Sequence, residues 1–547
     1  MFIHLTLRRV VLPFALLFAL AIHAQQGPRF QISFPASAHA SPITGRAYLI
    51  LATSRTPEPR LQVGSFESRT QFFGADVTQL APAQNITIST GTLGFPFADL
   101  AQLPPGDYYA QAVLNVYTEF HRSDGHVIWA HLDQGEGQQF NRSPGNLYSP
   151  VEKIHLDPKS ADEFKFTLQH VVPSISGPAD TDWIKHIRIQ SKLLSAFWGQ
   201  PIYLGATVLL PHGYDSTSQP YPVIYDQGHF GDSAPLDFAE DGGNETFAYG
   251  RAAQFSTMWR NGQLPPMIAV TFQHPTPFFD DSYAVNSANN GPYGDAIMQE
   301  LIPYLEGHFR MIPDPFARLL TGGSTGGWES LALQVFHPDF FGGTWTFYPD
   351  PIDFTRYQLV NIYEDPNAFD VPGYRPPPQR PLRRTVEGQV LLTVREMSQL
   401  EEVLGTHGRS GQQLEAWESV YGPVGADGYP QSLWDKRTGK IDPAVADYMR
   451  RYDLRAYLEK NWQQVGSQLA GKIHIYVGDM DNYYLNLAVY RMQDFLGEVK
   501  NPPANATFEY GRPMKGHGWQ PMTNADLVKM MYDYVKQHGP QYASARH

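Results

Sequence analysis

The sequence predicts an α/β domain with a mostly parallel sheet and a helical insertion, preceded by an N-terminal β-sandwich. In residues 31–170, short segments alternate apolar and polar residues and are separated by Pro and Gly turns, which is typical of an Ig-like sandwich. From about residue 184, buried-type strands alternate with segments of helical spacing. Such alternation indicates a parallel sheet with its functional groups at the carboxyl ends of the strands.

The elements of the N-terminal part are short strands with aromatic and β-branched residues. We predict them at residues 46–52, 85–89, 107–117 and 163–168. A polar stretch over residues 173–182 marks the boundary, so we divide the chain into residues 25–175 and 176–547.

The second part yields predicted strands and helices in alternation. The strands are predicted at residues 184–190, 202–210, 221–225, 267–272, 343–348 and 473–477, and the helices at 296–305, 328–335 and from Asn524, as N-cap, to 537. An insertion at about residues 350–472 begins Pro-rich and becomes helical near residues 394–404 and 444–465. We interpret it as a lid or substrate-shaping cap, with a peripheral decoration as the alternative.

Residues 1–24 have the pattern of a cleaved secretory signal. Arg8 and Arg9 precede an apolar run over residues 10–20 that is short for a membrane span. An uncleaved anchor is the alternative. We expect a secreted or periplasmic protein with no membrane association after cleavage.

Composition excludes several kinds of chemistry. The chain has no cysteine, so disulfides, thiolate nucleophiles and Cys-ligated zinc are excluded. Its formal charge is −13, and removing Arg8 and Arg9 with the signal makes it about −15. This acidity argues against nucleic acid or an anionic membrane as partner.

Ser324 is the candidate nucleophile, because it stands at the centre of a G-x-S-x-G pattern between an apolar run and a helix-like segment. This pattern is typical of a nucleophile elbow, a sharp strand-to-helix turn that needs small residues two positions before and two positions after the serine. The N–H of Thr325, at the start of the helix, would face developing negative charge. The pentapeptide by itself also occurs in ordinary Gly-rich turns.

A serine hydroxyl needs a base and an oriented acid. Asp481 and Asp479 both follow the strand predicted at 473–477, and we choose Asp481 while keeping Asp479 open. Asp350 and Asp353 are lesser candidates, better suited to lining a pocket or capping a turn.

His517 is the candidate base, since Gly516 and Gly518 flank it and would let the backbone aim the imidazole. The order Ser324, Asp481, His517 is the order found in α/β-hydrolases. We expect the second oxyanion donor in the loop after the strand at 221–225, from the N–H of His229 or Phe230.

Four aromatic residues lie close in sequence to these groups and could line an acyl or sugar pocket. They are Trp328, Tyr483, Tyr484 and Trp519. For Trp328, packing in the core is an equally good interpretation.

The chain from about Lys192 onward resembles the putative esterase family of α/β-hydrolases, which includes enterochelin-esterase-like enzymes, esterase D and bacterial feruloyl and acetyl-xylan esterases. The segments that carry the resemblance are residues 208–214, 221–225, 322–327, 336–341, 478–481 and 516–518. The resemblance implies a serine nucleophile, a histidine base and an acidic third member, with no cofactor and no metal. The chain departs from the family in the sequence Asp226-Gln227-Gly228-His229, where many members have a Leu-His-Gly-Gly type, and in its long insertion.

These observations together predict a secreted serine carboxylic-ester hydrolase that works through an acyl-enzyme. Small-molecule or carbohydrate-linked esters, including acylated carbohydrates and siderophore-like esters, are the expected substrates. A serine peptidase or an acyltransferase with the same triad is the alternative, although residues 31–170 show no propeller repeat. A non-catalytic binding protein on the same scaffold is the alternative of another class. The oligomeric state is left open.

Overall fold

The structure, a computed structural model, describes residues 27–228, 234–240 and 249–540. The predicted signal segment, residues 1–24, lies outside these ranges. Within them, no helix is both long and apolar enough to cross a membrane.

The N-terminal part consists of short strands in two facing sheets. The strands are β1 Arg29–Ser33, β2 Ile43–Ala52, β3 Gln71–Leu80, β4 Ile86–Ile88, β5 Gly94–Phe95, β6 Gly106–Val116, β7 Thr118–His121, β8 Val127–Ala130, β9 Leu147–Tyr148, β10 Glu152–Leu156, β11 Glu163–Thr167 and β12 His170–Val171. One sheet has three strands in the order β11-β1-β4, the other has seven strands around β6-β2-β3, and β7 pairs with β8. All pairs are antiparallel except β1 with β11. The predicted sandwich is therefore present.

Both faces of the larger sheet are buried, because β2 alternates its side chains between two cores. Leu49 and Leu51 pack into the core of the sandwich, whereas Tyr48 and Ile50 pack into a core shared with the insertion and the helix after Ser324. Successive strand residues point to opposite faces. The N-terminal part thus packs as one body with the rest of the chain.

The second part is an eight-stranded sheet with helices. Its strands are β13 Ile184–Ser191, β14 Ile202–Leu209, β15 Val223–Gln227, β16 Ile268–Gln273, β19 Arg318–Gly323, β20 Gly343–Phe347, β23 Ile473–Gly478 and β24 Thr507–Gly511, in the order β13-β14-β16-β15-β19-β20-β23-β24. β13, β14 and β16 pair antiparallel, and β16, β15, β19, β20, β23 and β24 are parallel. This is the mostly parallel sheet of an α/β-hydrolase fold.

Helices and two small hairpins surround this sheet. The hairpins pair β17 Asn286–Ser287 with β18 Gly291–Pro292 and β21 Pro381–Arg384 with β22 Val390–Thr393. The α-helices are α1 Lys192–Trp198, α2 Tyr249–Arg260, α3 Tyr293–Ala296, α4 Ile302–His308, α5 Thr325–Phe336, α6 Val394–Leu404, α7 Gln413–Tyr421, α8 Pro443–Met449, α9 Leu454–Leu469, α10 Asn486–Glu498 and α11 Asn524–His538. Leu319 and Leu320 on β19 face opposite sides of the sheet, each into a different core.

The insertion lies between β20 and β23 and contains β21, β22 and α6 to α9. The helix predicted at 394–404 is α6, whereas α7 was not predicted. Residues 414–421 of α7 are all buried, and a helix buried on every side has no apolar stripe for a sequence pattern to show.

The last helix begins one residue earlier than predicted, because Asn524 was predicted as its N-cap. Its N-cap is Thr523, whose side chain accepts a hydrogen bond from the N–H of Asp526, and Asn524 is the first helical residue. Threonine and asparagine both cap helices well, so only the backbone geometry distinguishes the two positions.

Candidate active site

Ser324 occupies a strained turn between β19 and α5. Its backbone angles are φ 58° and ψ −120°, which a non-glycine residue adopts only where the surroundings impose them. A Cβ on Gly322 would lie 2.3 Å from the carbonyl oxygen of Gly326, and one on Gly326 would lie 2.0 Å from that of Gln227. The two glycines of the motif are therefore required by close backbone approach, as a nucleophile elbow demands.

His517 and Asp481 form a hydrogen-bonded pair. His517 Nδ1 lies 2.8 Å from Asp481 Oδ2, and the Asp481 side chain is fully buried. Asp481 Oδ1 accepts hydrogen bonds from the N–H groups of Tyr483 at 2.9 Å and Leu485 at 3.2 Å. With Nδ1–H directed at the carboxylate, Nε2 is the nitrogen left to accept a proton.

The other carboxylates considered from sequence have different surroundings. Asp479 Oδ1 accepts from the N–H of Lys515 at 3.3 Å, and Asp481 is the carboxylate that contacts the imidazole. Asp353 Oδ2 forms ion pairs with Arg455 at 2.7 Å and Arg491 at 2.8 Å. Asp353 therefore joins α9 and α10 to the loop after β20.

Tyr348 lies between the nucleophile turn and the histidine, and sequence reasoning missed it. Its ring centre is 4.7 Å from that of His517, and a Cβ on Gly323 would lie 2.5 Å from its hydroxyl. Burial raises the pKa of Tyr348 to about 12, so the phenol is neutral at pH 7. The sequence signal that could have identified Tyr348 is its position directly after β20, at the carboxyl-end edge of the sheet where the candidate catalytic residues lie.

The nucleophile, the acid and the base follow strands from one run of four consecutive strands in the sheet. Ser324 follows β19, Tyr348 follows β20, Asp481 follows β23 and His517 follows β24, and these four strands are adjacent in the sheet. Among the described residues, no hydrogen bond joins Ser324 Oγ to the imidazole. In serine hydrolases this bond commonly shortens when substrate binds.

Asp350 forms hydrogen bonds at the N-terminus of α5, the helix that follows Ser324, instead of lining a pocket. Its N–H donates to the carbonyl of Ser324 at 3.0 Å. Its Oδ2 accepts from Tyr283 Oη at 2.7 Å, Thr325 Oγ1 at 3.0 Å and Gln413 Nε2 at 3.1 Å. Since Gln413 belongs to α7, the insertion directly supports the turn that carries Ser324.

The structure describes one side of the predicted oxyanion hole. Thr325 is the first residue of α5, where a backbone N–H has no acceptor within the helix. His229 and Phe230 lie outside the described residues. The described residues just before them, Gln227 and Gly228, pack against Gly326.

Of the four predicted pocket aromatics, Tyr483 contacts the histidine, with ring centres 5.0 Å apart. Tyr484 is buried under the guanidinium of Arg384, at 4.2 Å. Trp519 packs over Gly511, where a Cβ would lie 2.5 Å from its ring.

The prediction that Trp328 lines a pocket is wrong. The residue is fully buried, with its ring centre 5.6 Å from that of Tyr283 and 5.2 Å from that of Tyr421. Helix α5 is enclosed by the sheet on one side and by the insertion on the other, so its side chains reach core only.

Both the N-terminal part and the insertion contribute residues beside Tyr483. Arg383 of β21 forms an ion pair with Glu67 at 2.7 Å, and its guanidinium lies 5.2 Å from the ring of Phe66 and 5.7 Å from that of Tyr483. Three distant parts of the sequence therefore meet next to His517.

Comparison with known families identifies part of the chain. Residues 203–351 match the family model described as putative esterase. This segment belongs to the putative esterase family. The esterase segment runs from β14 past Asp350 and includes Ser324, while Asp481 and His517 come from the chain that follows it. The match therefore relates this segment to esterases.

No curated protein matches the chain by sequence. Several solved structures are similar to it. A ferulic acid esterase is 16% identical, with 65% of this chain and 98% of that chain covered and a TM-score of 0.33. The fluorophosphonate-binding serine hydrolase F of Staphylococcus aureus is 13% identical, with 64% and 98% covered and a TM-score of 0.32. An S-formylglutathione hydrolase from Agrobacterium tumefaciens is 13% identical, with 66% and 96% covered and a TM-score of 0.32.

Proposed function

We propose that the protein is a serine carboxylic-ester hydrolase that acts through an acyl-enzyme. Ser324 Oγ attacks the ester carbonyl while His517 Nε2 takes its proton and returns it to the leaving alcohol. Asp481 orients the imidazole. Water, activated by the same histidine, then releases the acid. The N–H of Thr325 and an N–H from the loop after β15 stabilise the oxyanion.

One observation carries this proposal: the serine in a strained strand-to-helix turn stands at the same sheet edge as a histidine bonded to a buried aspartate. A structural serine needs neither the unfavourable φ of 58° nor two glycines forced by contacts under 2.5 Å. Family membership of the esterase segment supports the same chemistry.

The proposal is tested by hydrolysis of 4-nitrophenyl esters with acyl groups of increasing length, using wild type and Ser324→Ala. We expect the variant to lose about 10³-fold or more in kcat, because the nucleophile is absent. Ser216→Ala removes a surface hydroxyl that donates to the carbonyl of Gly213 at 2.7 Å. This variant serves as the matched control and should keep full activity.

A fluorophosphonate probe followed by peptide mass spectrometry identifies the reactive residue independently of substrate choice. We expect one adduct, on the peptide that contains Ser324. Labelling at another serine, or full activity of Ser324→Ala, would refute the assignment. Labelling without turnover of any ester in water, but with acyl transfer to an added alcohol, would indicate an acyltransferase.

For the substrate, we propose esters with an aromatic or short acyl group attached to a small alcohol or carbohydrate. The support is the pair of tyrosine rings, Tyr348 and Tyr483, packed within 5.0 Å of the His517 ring. A comparison of hydroxycinnamoyl and acetyl esters of the same sugar tests the acyl preference. Equal kcat/KM for decanoyl and for both of these esters would contradict it.

We also propose that the protein is exported and loses residues 1–24. The support is the sequence pattern of Arg8 and Arg9 before a short apolar run. N-terminal sequencing of the protein recovered from outside the cytoplasm should begin at Gln25. Recovery of the full-length chain in the membrane fraction would favour the uncleaved anchor.

A further inference from the structure

The imidazole of His517 is bonded to Asp481, and the backbone of the same residue is bonded to a second side chain. Asn482 Oδ1 accepts a hydrogen bond from the N–H of His517 at 2.8 Å. The ring is bonded through Nδ1 to Asp481 Oδ2, also at 2.8 Å. A bond to the ring alone would let the main chain of the loop shift and displace Nε2. The two bonds together restrain both the backbone and the ring of the histidine.

The insertion fixes Asn482 in turn. Asn482 Nδ2 donates to the carbonyl of Arg384 at 2.7 Å, and the carbonyl of Asn482 accepts from the N–H of Arg384 at 2.9 Å. Arg384 Nε also donates to the carbonyl of Asp481 at 3.1 Å. Arg384 is the last residue of β21. Three hydrogen bonds therefore join the β21–β22 hairpin of the insertion to the loop that carries the acid.

The loop that carries the base lies directly against the same hairpin. A Cβ on Gly516 would lie 2.7 Å from Asn482 Oδ1 and 2.9 Å from Val386 Cγ1. Val386 belongs to the turn between β21 and β22. Any side chain at position 516 would force these groups apart. Glycine there lets the acid loop, the base loop and the hairpin meet at one point.

We propose that Asn482 is a positioning residue for His517 and that the β21–β22 hairpin holds it in place. This inference rests on the proposed function, in which His517 is the base. A side-chain amide suits the role, because its oxygen accepts from one neighbour while its nitrogen donates to another. Displacing a reacting group by about 1 Å can lower the rate by about 100-fold. The insertion thus supports the base as well as the turn that carries the nucleophile.

The kinetic test uses the full chain and one 4-nitrophenyl ester. Asn482→Ala removes both side-chain hydrogen bonds, so we expect kcat to fall about 10- to 100-fold while KM stays within about threefold of wild type. Asn482→Asp keeps an acceptor for the N–H of His517, and its kcat should lie between those of Asn482→Ala and wild type. An Asn482→Asp variant no faster than Asn482→Ala would show that the bond to His517 is not the functional one.

Asn367→Ala is the matched control. Asn367 has the same bonding pattern in another part of the insertion: its Nδ2 donates to the carbonyl of Thr438, and its Oδ1 accepts from the N–H of Phe369, both at 2.7 Å. Its loss should leave kcat and KM unchanged. Equal kinetics of Asn482→Ala and Asn367→Ala would overturn the proposal.

A double variant tests the contact between the two loops. Gly516→Ala adds a Cβ that would clash with Asn482 and Val386, so we expect it to lower kcat as well. Asn482→Ala removes one of these two obstacles. The double variant should therefore lose less than the product of the two single losses, because residues in contact are not additive. Losses that simply multiply would contradict a shared role.

Hydrogen–deuterium exchange followed by mass spectrometry measures the positioning without turnover. The peptide over residues 512–519 should exchange faster in Asn482→Ala than in wild type or Asn367→Ala. Wild-type exchange in Asn482→Ala would overturn the proposal even if kcat fell. If Asn482→Ala does not fold, Asn482→Leu, which has a similar shape and no amide, replaces it in each comparison.

Failure of the proposed function gives a different result. Wild-type protein that hydrolyses no ester would refute that function, and the exchange experiment would still decide whether Asn482 fixes the loop of His517. Turnover by wild type, absent in Ser324→Ala and undiminished in Asn482→Ala, would leave the function intact and refute the role of Asn482.

Discussion

At the scale of single residues, backbone contacts decide which carboxylate serves His517. Asp481 receives two backbone N–H groups and the imidazole, and the N–H of His517 donates to Asn482 Oδ1 at 2.8 Å. Asp479, two residues earlier, turns toward the backbone of Lys515. The two aspartates could not be separated from their spacing, because both follow the same strand.

We therefore expect Asp481→Asn to lower kcat by about 10³- to 10⁴-fold with a small change in KM, because the imidazole loses the acid that orients it. Asp479→Asn should stay within about tenfold of wild type. Steady-state kinetics of both variants on one 4-nitrophenyl ester is the measurement. A larger loss in Asp479→Asn would show that the contact with Asp481 is not the functional one.

At the scale of elements, a buried charge cluster joins the helices of the insertion. Lys436 Nζ lies 2.8 Å from Glu418 Oε2, and Glu401 and Glu415 are close enough to raise the pKa of Lys436, against the effect of burial. Burial raises the pKa values of Glu401 and Glu415. One lysine thus compensates three buried acids on α6 and α7, the same α7 that holds Asp350 under the nucleophile turn.

Lys436→Met should destabilise the protein by about 3–5 kcal/mol, because it leaves buried carboxylates without their cation. Lys440→Met, an exposed lysine on the same loop, should stay within about 0.5 kcal/mol. Urea unfolding of both variants measures the difference. If the two behave alike, the glutamates are neutral in the native state without help from Lys436.

At the scale of the whole molecule, the N-terminal sheet and the insertion are packed as one unit. Arg46 of β2 donates from Nε to the carbonyl of Val403 and from Nη2 to that of Glu402, both at 2.9 Å. These carbonyls lie in the last turn of α6, where a cation is favourable. Stability is therefore a property of the whole chain, and its pH dependence adds contributions from distant groups.

His474 of β23 should make the protein less stable in acid. Burial lowers its pKa to about 4, below the unfolded value of about 6.5, so the native state binds fewer protons between these values. The contribution of His474 to the free energy of unfolding is fully present above about pH 6.5 and decreases as the pH falls toward 4. The expected loss from pH 7 to pH 5 is about 2 kcal/mol.

The contribution of His474 has to be measured by comparison with a variant, because Asp453 changes the stability with pH in the opposite direction. Burial raises the pKa of Asp453 to about 6, so its contribution falls as pH rises from about 4 to 6. We expect His474→Gln to lose about 2 kcal/mol less than wild type between pH 7 and pH 5 in urea unfolding. Identical pH profiles would show that His474 is protonated equally in both states.

Much of the site could be predicted from the chain because its signals are local. The nucleophile elbow requires glycine at positions 322 and 326. The glycines on either side of His517 indicate a loop whose backbone directs the imidazole. Ser324, Asp481 and His517 occur in a recognisable order. Period-2 patterns located β2, β4, β6 and β11 of the N-terminal part, and apolar runs located six of the eight strands of the second sheet. These features depend on backbone sterics within a few residues of each position.

Other features depend on contacts between residues far apart in sequence. Trp328 is core because the insertion covers α5, and Tyr348 reaches His517 because β20 lies between β19 and β23. Gln413 meets Asp350 across 63 positions, and Glu329 meets His274 only after β16 and α5 are brought together. No local sequence pattern predicts these long-range contacts. They depend on the order of the strands in the sheet and on which apolar surfaces of the sheet and helices the insertion covers.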